Sequence, residues 1–435
     1  MRISPLGQRI DSAAIGSQKI PAMVQRLGSY LLVERLNQGG MADVYLAKMF
    51  GFQGADQIVA VKCIRPEIAE DPTFARMFVD EAKLAVLLKH ANIAQTYELG
   101  KIGSLYFMAM ELIQGRDLKA VIERTKSRGS DIKEQLALYI MAQVCEGLDY
   151  AHRKTNPAGK PLNTVHLDVS PQNILVSYTG EVKVIDFGIA KAATHASLSQ
   201  GQRGVLKGKF GYMSPEQVRS QPVDHRSDIF SAGIVLWELL TRERLYEGGS
   251  DASLLERVRN VEIVPPSLIA GTVSADIEAV IMRALERDPA DRFSSASDMR
   301  DAIIGVMLQR YGTTSPRDLV ALMQELFADE QKEELKALER ARQVTHMPED
   351  AESLADNEVG AQAPAAMSAK PVNLAPQASA PTIPDTPAAT PAPSRAPAPT
   401  PMGPAPTRDL APPGKSLRQT PRRSSAPPRN LRAQE

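Results

Sequence analysis

The chain has 435 residues, 51 Lys and Arg against 51 Asp and Glu, and two cysteines, Cys63 and Cys145. A net charge of zero gives no whole-chain field to attract nucleic acid, two cysteines cannot staple a disulfide scaffold, and the strongest apolar run, residues 232–240, is far short of the ~18 residues that a membrane-spanning helix needs. With Arg2 and Arg9 beside no continuous apolar core, no signal peptide is expected, and a cytoplasmic protein with two packed thiols and no membrane span is.

Residues 1–28 show no hydrophobic period and read as a flexible leader. Apolar runs at 30–36 and 44–47 flank a glycine pair, and 58–64 alternates branched residues, so three strands are expected. Residues 72–89 set Phe74, Phe78, Leu84, Val86 and Leu87 at helical spacing, and 106–112 is again strand-like. Beyond Gln114 the period turns helical, with helices expected over 134–152, 227–240, 275–285 and 296–308, the second apolar enough to be buried. The fold class is α+β: a small sheet lobe over about 29–113 and a larger helical lobe over about 114–310.

One more helix is expected over 315–342, in an extension spanning 311–345. Ser315 suits its cap, Pro316 its first turn and Asp318 its dipole, while Leu319, Leu322, Met323, Leu326 and Phe327 form a stripe that should pack on the preceding lobe. From about Thr345 the chain is rich in Pro, Ala, Ser and Thr, which cannot bury enough surface to offset ordering, so 346–435 is read as a disordered tail. Arg418, Arg422, Arg423, Arg429 and Arg432 near its end read as a solvated basic stretch, with partner recruitment as the second reading.

Four short motifs follow one another in order. Leu36-Asn37-Gln38-Gly39-Gly40-Met41-Ala42-Asp43-Val44 lies between two strands, and its small residues let backbone amides approach phosphate oxygens; a plain hairpin turn looks the same. Val59-Ala60-Val61-Lys62 ends an apolar strand on an ammonium suited to phosphates, with Glu81 as its helix partner and Asp80 on another side of that helix. His166-Leu167-Asp168-Val169-Ser170-Pro171-Gln172-Asn173 couples a carboxylate able to accept a hydroxyl proton with an amide oxygen suited to a hard cation. Val184-Ile185-Asp186-Phe187-Gly188 sets another oxygen ligand at the end of an apolar strand.

In this order the motifs resemble the signature set of the protein kinase superfamily, over about residues 30–307. The Gly39-Gly40-Met41 run with Val44-Tyr45 resembles bacterial members of the serine/threonine kinase family. Ser214-Pro215-Glu216 resembles the close of an activation segment, Asp228-Ile229-Phe230-Ser231-Ala232-Gly233 the start of a central helix, and Arg292 the partner of Glu216. The resemblance implies a two-lobed protein-kinase-like fold that transfers the γ-phosphate of ATP, with Mg²⁺, to Ser or Thr hydroxyls of protein substrates in bacterial signalling. It implies that Leu36 to Val44 cover the nucleotide and that Leu36, Val44, Ala60 and Leu175 sandwich the adenine. Met110 would line the back of that pocket, and backbone groups of Glu111 and Ile113 would bond the base. Lys62 with Glu81 would hold phosphates, Asn173 and Asp186 would bind Mg²⁺, and Asp168 would orient the acceptor.

The sequence departs from the family pattern in places. Asn37 and Ala42 replace glycines, and Leu167 stands where an arginine usually pairs with an activation-segment phosphate, so activity independent of that phosphate is expected. Ser170 replaces a lysine, and Lys209 a threonine, near the acceptor side; Lys207 or Lys209 reads first as an ordinary exposed lysine. Three rival readings are a pseudokinase scaffold, a small-molecule kinase, against which Glu216 and Arg292 argue, and a tail that acts as an interaction platform.

Overall fold

The computed structural model of the chain describes residues 25–51, 56–187, 210–344, 346–347 and 352–353. The smaller lobe is a seven-stranded sheet. Its strands are β1 (Gln25–Leu27), β2 (Tyr30–Gln38), β3 (Ala42–Met49), β4 (Gln57–Ile64), β5 (Thr96–Ile102), β6 (Leu105–Glu111) and, from far along the chain, β10 (Glu352–Ser353), in the order β10-β1-β2-β3-β4-β6-β5. β1 lies inside the stretch expected to be a flexible leader: it pairs with β2 and, in parallel, with β10.

The β2–β3 hairpin turns through Gly39, whose amide donates to the Ala42 carbonyl at 3.0 Å. A Cβ at Gly39 would sit 2.7 Å from that oxygen, so only glycine closes this turn without a shift. β4 buries Val59, Ala60 and Val61 in succession, as a central strand covered on both sides does. Helix α1 (Pro72–Ala85) starts where Asp71 accepts from the Thr73 amide at 2.8 Å with Pro72 in the first turn. It ends at Ala85 rather than Lys89, because tighter bonds from Leu87 to Leu84 (2.9 Å) and from Leu88 to Ala85 (3.1 Å) close its last turn.

The larger lobe holds a second sheet of β7 (Gly115–Asp117), β8 (Ile174–Ser177) and β9 (Val182–Val184), and the helices α2 (Leu118–Ser127), α3 (Glu134–His152), α4 (Arg226–Thr241), α5 (Asp251–Asn260), α6 (Ala275–Ala284) and α7 (Ala296–Tyr311). α4 is buried on all sides, as its apolar run requires, and α3, α6 and α7 pack around it to form the main core. Helix α8 (Pro316–Gln343) begins in a capping box between Ser315 and Asp318. Its Leu319, Met323, Leu326 and Phe327 are buried in the large-lobe core, with Leu322 half-buried against it. No helix among the described residues is long and apolar enough to cross a membrane.

Candidate active site

β4 carries Lys62, near its end, toward the space between the lobes, α1 presents Glu81, and the turn after β9 presents Asp186. The Lys62 Nζ lies 2.7 Å from Asp186 Oδ1 and 3.4 Å from Glu81 Oε1. Burial alone would pull the Lys62 ammonium down, but the Asp186 and Glu81 carboxylates outweigh it and hold Lys62 above its ordinary range. Burial pushes the Glu81 carboxyl up, with Lys62 opposing. Asp80 faces away and pairs with Lys83 at 3.4 Å on the exposed side of α1. Asp186 adopts φ 55°, left-handed backbone that a non-glycine residue holds only where its surroundings over-determine it.

Asp168 sits in a loop fixed from below. The buried Asp228 carboxylate, at the start of α4, accepts the amides of His166 (2.7 Å) and Leu167 (2.8 Å) and lies 2.8 Å from His152 Nε2. Burial would raise this carboxyl, but the His152 contact and these amides hold it below its ordinary value, so it stays an anion that clamps the loop. The clamp was not foreseen in the sequence; its only signal there is a carboxylate near the start of a mostly apolar helix. Asn173 donates its Nδ2 to the Asp168 carbonyl (2.9 Å) and to Asp168 Oδ2 (2.7 Å), so its amide oxygen remains for a cation. The Asn173 carbonyl in turn accepts the Ile185 amide at 2.9 Å, which ties the Asp168 loop to the Asp186 turn. Leu167, at φ 63°, is itself nearly buried, so an apolar packing residue fills the position where an arginine was the family expectation.

A cavity of about 1090 Å³ opens between the lobes. Leu36, Asn37, Val44, Ala60, Lys62, Met110, Glu111, Ile113, Leu175 and Asp186 line it, so both faces of the expected base pocket and its inner polar end share one space. Gln38, Gly39, Gly40, Met41, Ala42 and Asp43 form the hairpin tip, and neither they nor Glu81, Asp168 and Asn173 line the cavity. Glu111 is held by Lys183, whose Nζ is 2.8 Å from its Oε1, and by the Gln95 amide at 3.1 Å. Its own amide is donated to the Gln95 carbonyl at 2.8 Å. The Lys183 contact also escaped the sequence reading, because a lysine on a three-residue strand carries no pattern.

The expected partnership of Glu216 and Arg292 is present as a two-pronged pair, with both N···O distances 2.8 Å. Arg292 spends its remaining donors on the carbonyls of Arg226, Glu286 and Arg287, and Ser227 adds a hydroxyl to Glu216 at 2.6 Å. Among the described residues no group of three His, Cys, Asp or Glu forms a metal cage. The oxygen set of Asp186 and Asn173 nonetheless suits Mg²⁺, which takes one or two protein oxygens and completes its shell with phosphate and water. Gly188, Thr194, Ser197, Ser199, Lys207 and Lys209 lie outside the described residues, as do residues 1–24 of the expected leader and nearly all of the expected tail.

The protein kinase domain family model matches residues 30–303. Similar curated proteins include the tyrosine-protein kinase MasK of Myxococcus xanthus, 36% identical over 308 residues, covering 71% of this chain and 47% of that protein. Another is the serine/threonine-protein kinase PknB of Mycobacterium tuberculosis, 34% identical over 281 residues, covering 64% of this chain and 42% of that protein. The chain thus spans about half the length of these relatives or less. Among solved structures, the PknI kinase domain of Mycobacterium tuberculosis aligns with a TM-score of 0.50 at 25% identity, covering 65% of this chain and 98% of that one.

Proposed function

Since the chain belongs to the protein kinase domain family, whose members use ATP and a divalent metal, we propose that it transfers the γ-phosphate of ATP to Ser or Thr hydroxyls of protein substrates, with Mg²⁺, in bacterial signalling. One observation carries this reading: Lys62 bridges Glu81 and Asp186 while Asn173 holds Asp168, the two pairings that the proposed phosphotransfer requires. The kinase domain is proposed to span 29–310, with the helical extension at 311–345. A cytoplasmic location, and a leader and tail that flank the domain, belong to the same proposal; the leader reaches the small-lobe sheet through β1, whose Leu27 is buried there, and the tail reaches it through β10.

Each residue then has a task. Leu36, Val44, Ala60 and Leu175 enclose the base, and Met110 limits its depth. The base is held by backbone groups of Glu111 and Ile113; because the Glu111 amide is committed, its carbonyl is the group it offers. Gly39 and its neighbours at the hairpin tip cover the phosphates. Lys62, kept charged and aimed by Glu81, neutralises them. Asn173 and Asp186 would hold Mg²⁺, which when bound supplies a positive charge against the developing charge of the transferred group. Asp168 orients the acceptor hydroxyl and takes up its proton. Catalysis of this kind is mainly positioning and charge neutralisation.

The test is incubation of the full chain with γ-labelled ATP, Mg²⁺ and a broad protein panel, followed by mapping of the modified residues. Label on Ser and Thr is expected. Label confined to Tyr would overturn the acceptor preference, which matters because one similar protein is named a tyrosine kinase. A chain cut after residue 353, which keeps β10, tests recruitment by the tail: unchanged labelling of every target would leave the tail with no recruiting role.

The pseudokinase reading draws on Leu167 and on Ser170, whose buried hydroxyl has no hydrogen-bond partner. Leu167 fits equally well with an enzyme that needs no activating phosphate, since a packed leucine cannot receive one. Replacing Thr194, Ser197 and Ser199 together by alanine is therefore expected to leave turnover within about twofold of wild type, a change below 0.5 kcal/mol in barrier. A collapse of turnover in that variant would contradict it.

A further inference from the structure

Helix α8 does more than cover the large lobe. Its 28 residues form two helical pieces, 316–326 and 328–343, of roughly 17 and 24 Å, which meet at a break at Phe327 (φ −135°, ψ 27°). Below the break it is seated in the large-lobe core. Above it, Ala337, Leu338 and Ala341 are buried against Val33, Leu46, Ile58 and Leu112 of the small lobe, the two alanines allowing close approach.

The break itself is fastened to the last turn of α2 and the residue that follows it. Arg128 donates to the carbonyls of Glu325 (2.6 Å) and Leu326 (3.2 Å), and Arg124 donates to that of Leu326 (2.9 Å) with its guanidinium 4.8 Å from the Phe327 ring centre. These are carbonyls that an interrupted helical ladder leaves in need of donors. Two ion pairs, Arg124 with Glu330 and Arg116 with Glu334, then carry α8 past the connection between the lobes. At its far end the buried Lys48, itself paired with Asp56 at 3.0 Å, donates to the carbonyls of Arg342 (3.3 Å) and Val344 (2.5 Å), which satisfies groups that a helix end leaves unbonded. Along this course Leu326, Glu330, Glu334 and Leu338 line the same cavity as Leu36, Lys62 and Asp186.

We propose that α8 is a positioning strut: it holds the two lobes at a fixed gap and walls the outer side of the nucleotide cleft, so that ATP enters a pre-closed site and leaves it slowly. The nucleotide part rests on the ATP-dependent reading above; the lobe-spacing part does not. Opening the cleft requires unseating Leu338 and its neighbours from the small lobe. If the strut is loosened, the closed fraction falls and the apparent nucleotide affinity falls with it, while chemistry in the loaded site is unchanged.

The experiment uses the full chain. Leu338→Asp is expected to raise the KM for ATP and the release rate of a fluorescent ATP analogue about tenfold, the factor by which the closed fraction would fall. Leu338→Met, which keeps volume and apolarity, should behave as wild type. The Glu330→Gln, Glu334→Gln double variant alters two partly exposed side chains without threatening the fold, and should raise KM about two- to threefold. Spin labels on Glu70→Cys and Ala158→Cys, at exposed sites in the two lobes, read the gap without nucleotide: a narrow distance distribution in wild type, a broad one with Leu338→Asp. Unchanged KM, release rate and distances in a folded Leu338→Asp would overturn the strut. If that variant does not fold, unchanged values in the double variant would overturn it. A wild type that binds no ATP, yet whose label distances broaden with Leu338→Asp, would sink the kinase reading and leave the lobe-spacing part standing.

Discussion

Replacing Asp168 by asparagine is expected to lower kcat by about 10²–10⁴-fold, the contribution of a placed general base, with little change in the KM for ATP. Asparagine matches the shape of aspartate, and the loop is held by groups the change does not touch: Asp228 on the His166 and Leu167 amides, and Asn173 on the Asp168 backbone carbonyl. What is lost is the capacity to take a proton. Lys62→Met should separate from it in kind. It removes the ammonium that Glu81 and Asp186 share, leaves two carboxylates facing one another's field, and is expected to weaken nucleotide binding as well as turnover. Single-turnover assays with labelled ATP, run beside nucleotide titrations, distinguish the two patterns. Full turnover by Asp168→Asn would remove the base from the proposed chemistry. Equal, negligible transfer by wild type and both variants would favour the scaffold reading.

The second large effect falls on stability. Glu216→Gln leaves Arg292, almost fully enclosed, without its anion, and breaking one partner of a buried pair costs about 3–5 kcal/mol. For a lobe of this size that is a fall of roughly 10 °C in Tm. The pH dependence has a definite sign. Burial would raise the Glu216 carboxyl, but the Arg292 and Ser227 bonds bring it below the ordinary 4.5. Its contribution is therefore complete above that unfolded-state value and is lost as pH falls through the lower folded value. Urea melts should show wild type far more stable than Glu216→Gln at pH 7, with the gap narrowing below about pH 4. Midpoints that coincide at pH 7 would show that the closure is not stabilising.

The site was legible in the sequence to the extent that chemistry forces residue type and order together. Lys62 must follow an apolar strand run, and Asp168 and Asn173 must share a short loop, so both could be picked out without knowing the packing; the choice of Glu81 over Asp80 followed from helix geometry. The main helices declared themselves through period, α4 by being apolar on every side. Edge structure did not. β5 carries Tyr97, Glu98 and Lys101 at half-exposed or exposed positions, so it lacks the alternation of a half-buried strand. β1 gains its place by pairing with β2 and β10, a relation that no local window contains. The lower half of α8 was readable from its leucine and methionine stripe, whereas the upper half docks through Ala337, Leu338 and Ala341, where small residues make close contact but leave a faint hydrophobic signal. The Asp228 clamp was hidden for a related reason: a carboxylate reveals its role only by the backbone it holds.

Calorimetric titration of the full chain with ATP, with and without Mg²⁺, in wild type and Asp186→Asn, bears most directly on whether Lys62, Asn173 and Asp186 gather around one metal-bound triphosphate. Mg²⁺ is expected to tighten ATP binding by wild type and to have little effect on the variant. ATP affinity indifferent to Mg²⁺ in wild type, or a Mg²⁺ effect that survives Asp186→Asn undiminished, would contradict it.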